Sequence, residues 1–123
     1  MNRRPRLRVA GAGSGEAAGL VNCAAGKDRT GILCALTHHI LGVSEADMRS
    51  DYDLTNEAVG VDQRLPEAAA YFNNMLGKEY PAEVFRPFMG VRLRYLEKAW
   101  ATINERAGSV DAYLVDTLKV DEK

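Results

Sequence analysis

The amino-acid sequence predicts a chain of the α/β class, mostly α-helical, with one short strand leading into an anion-binding loop. Three observations predict it. A brief apolar, partly β-branched run, Leu20-Val21-Asn22-Cys23, ends at a glycine-containing turn, as a strand feeding a loop does. From Thr30 onward apolar residues recur at helical spacing, with capping residues and glycine stops between successive segments. Between strand and first helix, five residues separate Cys23 from Arg29, a loop length that can curl its backbone N–H groups around one anion.

Taken in order, residues 1–17 mix arginine with Gly11, Gly13, Gly15 and alanine, and read as a flexible leader ahead of residues 18–123. The Gly11-x-Gly13-x-Gly15 run is not a dinucleotide fingerprint, because Glu16 stands where the third glycine is needed and no βαβ unit follows. From Thr30 to Leu41 the residues Ile32, Leu33, Leu36, Ile40 and Leu41 are apolar on most sides, which predicts a buried helix ending at Gly42. Cys34 sits among them and reads as a packing thiol. His38 and His39 are adjacent on that helix and face different directions, so they make no ligand pair. Ser44-Glu45-Ala46-Asp47 has the spacing of a capping box with aspartate for glutamate, and opens a helix whose buried face carries Met48, Tyr52 and Val59. Asp47, Asp51, Asp53 and Glu57 then form a solvated face. Further helices are expected over 65–76, 82–88, 91–106 and 110–118, with Leu96, Trp100 and Ile103 packed, Gly108 as a stop and Ser109 as a cap.

Composition narrows the function. A chain of 123 residues, 46% hydrophobic and 27% charged, suits one soluble globular domain. Its net charge of −1 offers no global attraction to nucleic acid or to an anionic membrane, so an anion preference must come from a local site. The two cysteines lie in neither a metal-ligand spacing nor a disulfide framework, which fits a reducing, cytoplasmic setting with free thiols. The basic N-terminus lacks the apolar stretch of a signal peptide, and no segment reaches the apolar length of a membrane span.

The chemistry is concentrated in Asn22-Cys23-Ala24-Ala25-Gly26-Lys27-Asp28-Arg29-Thr30-Gly31. Gly26 tolerates the positive φ that a tight loop demands, and Gly31 lets the chain enter the next helix without a clash. A helix starting near Arg29 aims its positive dipole end into the loop, favouring both a bound phosphate and a Cys23 thiolate. Helix N-termini and nearby cations bring a cysteine pKa down to roughly 3.5–7.5, which makes Cys23 a candidate nucleophile. Arg29 supplies a planar fork for two oxygens of a tetrahedral anion. Asp28, a carboxylate inside the loop, is the candidate general acid and then base. Backbone N–H groups of Ala24, Ala25 and Gly26 would line the cup, Lys27 would add positive potential at its mouth, and the Thr30 hydroxyl would steady the sulfur anion.

These residues resemble a known group. Cys-x-x-Gly-Lys-Asp-Arg-Thr-Gly at 23–31 is similar to the signature of the atypical bacterial and fungal tyrosine phosphatases, a phosphoinositide-phosphatase-like family. Ser50-Asp51-Tyr52-Asp53-Leu54-Thr55-Asn56, and the stretch from Tyr95-Leu96 to Gly108-Ser109-Val110-Asp111-Ala112-Tyr113-Leu114, are similar to that family's C-terminal helices, so the likeness covers about residues 19–118. It implies an α/β phosphotyrosine-phosphatase-like fold, of which this chain resembles the C-terminal half. It also implies hydrolysis of phosphotyrosine, with phosphoserine, phosphothreonine and phosphoinositides as further substrates, a cysteinyl-phosphate intermediate, and no metal or other cofactor. The expected partner is a phosphotyrosyl protein or another phosphomonoester. The family has histidine before the nucleophile, where this chain has Asn22, an uncharged hydrogen-bonding group.

Three other readings compete with this one. The family places parallel strands ahead of the loop, and a lone strand leaves backbone groups unpaired. That favours a non-catalytic fragment that binds phosphorylated ligands, or one covered by a complementing chain or a second copy. An arsenate reductase or sulfurtransferase is disfavoured by Lys27-Asp28 between Gly26 and Arg29. A nucleotide-binding loop is excluded, because Gly19 and Gly26 are too far apart and Asp28 replaces the required Ser/Thr.

Overall fold

The computed structural model describes residues 8–10, 19–58 and 60–120 of the chain. The expected strand is present as β2, Leu20–Asn22. It pairs antiparallel with β1, Arg8–Ala10, in the register Arg8 to Asn22, Val9 to Val21 and Ala10 to Leu20. β1 lies within the segment read as a flexible leader. Val9 is its single β-branched residue, so composition carries no strand signal there. The rest of 1–17 lies outside the described residues.

Helix α1, Asp28–Ile40, begins two residues before the expected start, and the Gly31 N–H closes its first turn on the Lys27 carbonyl at 2.8 Å. It ends as expected at Gly42, with φ of +72°. Ala35 and Leu36 are buried, but Ile40 and Leu41 are 49% and 71% exposed, which corrects the expectation of a helix buried on most sides. Among the described helices α1 packs chiefly on α2, Glu45–Asp53, and one neighbour covers one face.

Ser44 caps α2: its Oγ accepts from the Asp47 N–H at 3.1 Å and donates to the Asp47 carboxylate at 2.7 Å. Aspartate, one methylene shorter than the glutamate of a full capping box, meets the hydroxyl itself. Met48 and Tyr52 are buried as expected, and the Val59 side chain lies outside the described residues. A Cβ on Gly31 would come within 2.8 Å of the Tyr52 ring, so glycine at 31 is what lets α2 close on the start of α1.

A short helix α3, Thr55–Ala58, follows, then α4, Val61–Leu76, which stops at Gly77 with φ of +62°. The helix expected over 82–88 is split into a 3₁₀ turn, Ala82–Phe85, and α5, Arg86–Met89. Pro87 has no N–H to offer the Glu83 carbonyl, and the Arg86 N–H takes that carbonyl in a tighter turn instead. Leu65, Ala69 and Phe85 form the core here, with Phe72 stacked on Phe85 at 5.4 Å between ring centroids. The Arg86 fork donates to both Glu83 oxygens, at 2.6 and 2.9 Å, and to Asp62 at 2.7 Å, tying the two segments at their surface.

The chain divides into two compact units, one ending at Val91 and one beginning at Arg92. The second holds α6, Leu93–Ala107, and α7, Val110–Ala112, which runs into a π-helical turn over Tyr113–Thr117. Gly108 breaks α6 with φ of +87°, and the Ser109 hydroxyl accepts from the Ala112 N–H at 3.0 Å, as stop and cap should. Leu96, Val110 and Leu114 are buried, whereas Trp100 and Ile103 are only half-buried. No described helix is long and apolar enough to cross a membrane.

Candidate active site

The site lies wholly in the first unit. Strand β2 delivers the chain to Cys23, residues 23–27 make the loop, and α1 carries the chain away from Asp28. Gly26 has φ of +67°, so the loop turns where only glycine does so without strain. The result is a convergence on sulfur. The Thr30 hydroxyl donates to Cys23 Sγ at 3.2 Å, and the backbone N–H groups of Thr30, Gly26 and Ala25 point at the same atom.

Removal from water pushes the thiol upward. The Thr30 hydroxyl and the three amides favour the anion and outweigh that, bringing Cys23 from its ordinary 9.0 down to about 7. The loop thus stabilises a thiolate with neutral donors alone, although Asn22 carries no charge. Asn22 itself is exposed at the end of β2. Cys34, one helical turn beyond Thr30, behaves oppositely: burial, then the Asp51 carboxylate, push its thiol up. Both thiols are free.

Arg29 is half-buried in the first turn of α1, and among the described residues its guanidinium has no carboxylate partner. Asp28 begins the same turn with its side chain 56% exposed. Lys27 differs from expectation. Sequence alone puts it at the mouth as added positive potential, whereas here it is only 8% exposed. Its Nζ donates to the Gly90 carbonyl at 3.0 Å and meets Asp28 Oδ1 and Oδ2 at 3.2 and 3.1 Å. A buried ammonium needs such partners, and these are the ones within reach.

Sequence reasoning missed the far side of that contact. Asn56 Oδ1 accepts from the Val91 N–H at 2.9 Å, and Asn56 Nδ2 donates to the Val91 carbonyl at 3.1 Å and to Asp53 at 3.0 Å. A Cβ on Gly90 would fall 2.5 Å from Asn56 Oδ1, so glycine is needed there. No local pattern announces a contact between positions 35 residues apart.

A cavity of about 250 Å³ lies against the loop, lined by Gly26, Lys27 and Thr30 and by Met48, Asp51 and Tyr52 of α2. Among the described residues no cluster of His, Cys, Asp and Glu could hold a metal ion. The loop itself presents a thiol of lowered pKa amid converging hydrogen-bond donors, with a guanidinium and a carboxylate on the adjoining turn of α1.

Comparison with known proteins agrees with this geometry. The sequence model described as the tyrosine phosphatase family matches residues 7–123. A protein of Cupriavidus necator, whose name assigns it provisionally to the tyrosine-protein phosphatases, is 35% identical over 102 residues, covering 83% of this chain and 36% of that protein. A Mycobacterium tuberculosis protein named triple specificity protein phosphatase PtpB is 31% identical over 109 residues, covering 79% of this chain and 37% of its own length. The chain thus spans little more than a third of these relatives. No solved structure matches at a comparable level of significance.

Proposed function

The chain belongs to the tyrosine phosphatase family, and on that premise we propose that its loop hydrolyses phosphomonoesters, phosphotyrosine first among them. The observation that carries the proposal is the set of four donors on Cys23 Sγ, which holds the thiol at about 7. The thiolate attacks phosphorus while Arg29 grips two equatorial oxygens and the loop amides receive the rest. Asp28 gives a proton to the departing oxygen, leaving a cysteinyl-phosphate. In the second step Asp28 takes a proton from water, which attacks phosphorus and returns the thiolate to its Thr30 donor.

The triple specificity named for the mycobacterial relative supports a substrate range broader than one phosphoester, and phosphoserine, phosphothreonine and phosphoinositides are the further substrates we propose. The reading is tested with the purified chain on p-nitrophenyl phosphate and on a phosphotyrosyl peptide. Turnover of both is expected, with inhibition by vanadate, which mimics the five-coordinate phosphorus. A chain that neither turns over nor binds vanadate would contradict it. A second reading, a non-catalytic phosphate binder that functions with a covering chain or second copy, is favoured by the exposure of Leu20, Ile40 and Leu41. Vanadate binding without turnover would select that one.

A further inference from the structure

The Gly90–Val91 peptide unit has partners on both of its faces. Its N–H donates to Asn56 Oδ1 at 2.9 Å, and its C=O accepts from Lys27 Nζ at 3.0 Å. Among the described residues no peptide is cis, so the N–H and C=O of this unit point in opposite directions and the plane forms a bridge. On one side stands Asn56, whose amide also holds the Val91 carbonyl and Asp53. On the other stands a buried lysine whose other partner among the described residues is Asp28. From α3 to the loop, every link is a hydrogen bond of 3.2 Å or less.

We infer that Asn56 is a positioning residue for the loop, acting through the Gly90–Val91 peptide and Lys27 to hold the Asp28 carboxylate. Two observations make the bridge more than incidental. Gly90 has no Cβ where one would lie 2.5 Å from Asn56 Oδ1, so the sequence leaves the space the clamp requires. Lys27, at 8% exposure, has little water to fall back on, so loosening Gly90 leaves the ammonium with Asp28 alone. A peptide polarised by a donor at its oxygen and an acceptor at its nitrogen strengthens both bonds together, which couples the two ends. The catalytic part of the inference rests on the phosphatase reading; the mechanical part does not.

The test uses the full chain labelled with nitrogen-15. A buried, hydrogen-bonded lysine ammonium exchanges its protons slowly enough to be seen by NMR. In Asn56→Ala the Lys27 ammonium is expected to exchange about tenfold faster, the equivalent of one lost hydrogen bond. Unchanged Lys27 exchange in folded Asn56→Ala overturns the inference. Should that variant not fold, the reciprocal arm decides: Lys27→Met is expected to speed exchange of the Val91 amide several-fold, and no change there overturns it equally. Activity adds a separate readout. Phenyl phosphate has a poor leaving group and needs a placed acid more than p-nitrophenyl phosphate does. Asn56→Ala should therefore lower kcat on phenyl phosphate about tenfold, with KM and p-nitrophenyl phosphate turnover nearly unchanged. An equal loss on both substrates marks general disruption and contradicts the positioning role. If the chain turns over neither ester while Lys27 exchange still responds to Asn56, the phosphatase reading fails and the bridge stands.

Discussion

Cys23→Ser is expected to lower turnover of p-nitrophenyl phosphate by on the order of 10⁴-fold, with the far-UV circular dichroism spectrum and the melting midpoint unchanged. Sulfur is replaced by the oxygen of the same group, so Arg29 and the loop amides still meet the phosphate of the substrate, and KM should move little. What is lost is the proposed nucleophile. With its thiol at about 7, Cys23 is roughly half thiolate at neutral pH, whereas a serine hydroxyl in the same nest remains protonated. Stability is spared because Cys23 is not part of the buried core, which is built from residues such as Leu36, Tyr52, Leu65 and Phe85. Stopped-assay product counts on matched, folded samples check this. Turnover in Cys23→Ser within tenfold of the unsubstituted chain would place the nucleophile elsewhere.

Arg29→Lys keeps the charge and is nevertheless expected to cost about 10²–10³-fold in kcat, comparable to removing one oxyanion donor from a preorganised site. The reason is geometric. A guanidinium presents parallel N–H groups to two phosphoryl oxygens, and an ammonium on a flexible stem presents a point charge. Arg29 sits half-buried on the first turn of α1, directly after the loop. KM should rise as well, because the same fork grips the ground state. A steady-state comparison of Arg29→Lys with the unsubstituted chain tests this, and loss confined to KM would make Arg29 a binding residue only.

Much of this site could be read from the sequence because its parts are local. Cys23, Gly26, Arg29 and Thr30 lie within eight positions, and a strand ending at Asn22 with a helix starting at Asp28 is enough to bring Thr30 back to Sγ at 3.2 Å. Caps were legible for the same reason: Ser44 and Ser109 each bond a backbone N–H three residues on. What escaped depends on long-range contact. The pairing of β1 with β2 is set by tertiary placement of a three-residue segment with one β-branched side chain. The burial of Lys27 follows from Gly90, which no spacing rule connects to it. Local spacing gives Gly31 only the part of easing entry into a helix, while its structural reason is the Tyr52 ring packed against it. Apolar periodicity in α1 showed that a helix forms and not how many neighbours it has, which is why Ile40 and Leu41 were expected inside and stand exposed.

The most direct measurement is the rate of iodoacetamide labelling at each cysteine, read by peptide mass spectrometry from mildly acidic to mildly alkaline pH. Only the thiolate reacts, and a lowered pKa means reactivity is present above the midpoint and lost as pH falls through it. The account predicts a Cys23 midpoint near 7, with protection by vanadate, and slower labelling of Cys34, whose thiol is pushed up by burial and by Asp51. A Cys23 midpoint at or above its ordinary 9.0, with labelling indifferent to vanadate, would contradict it.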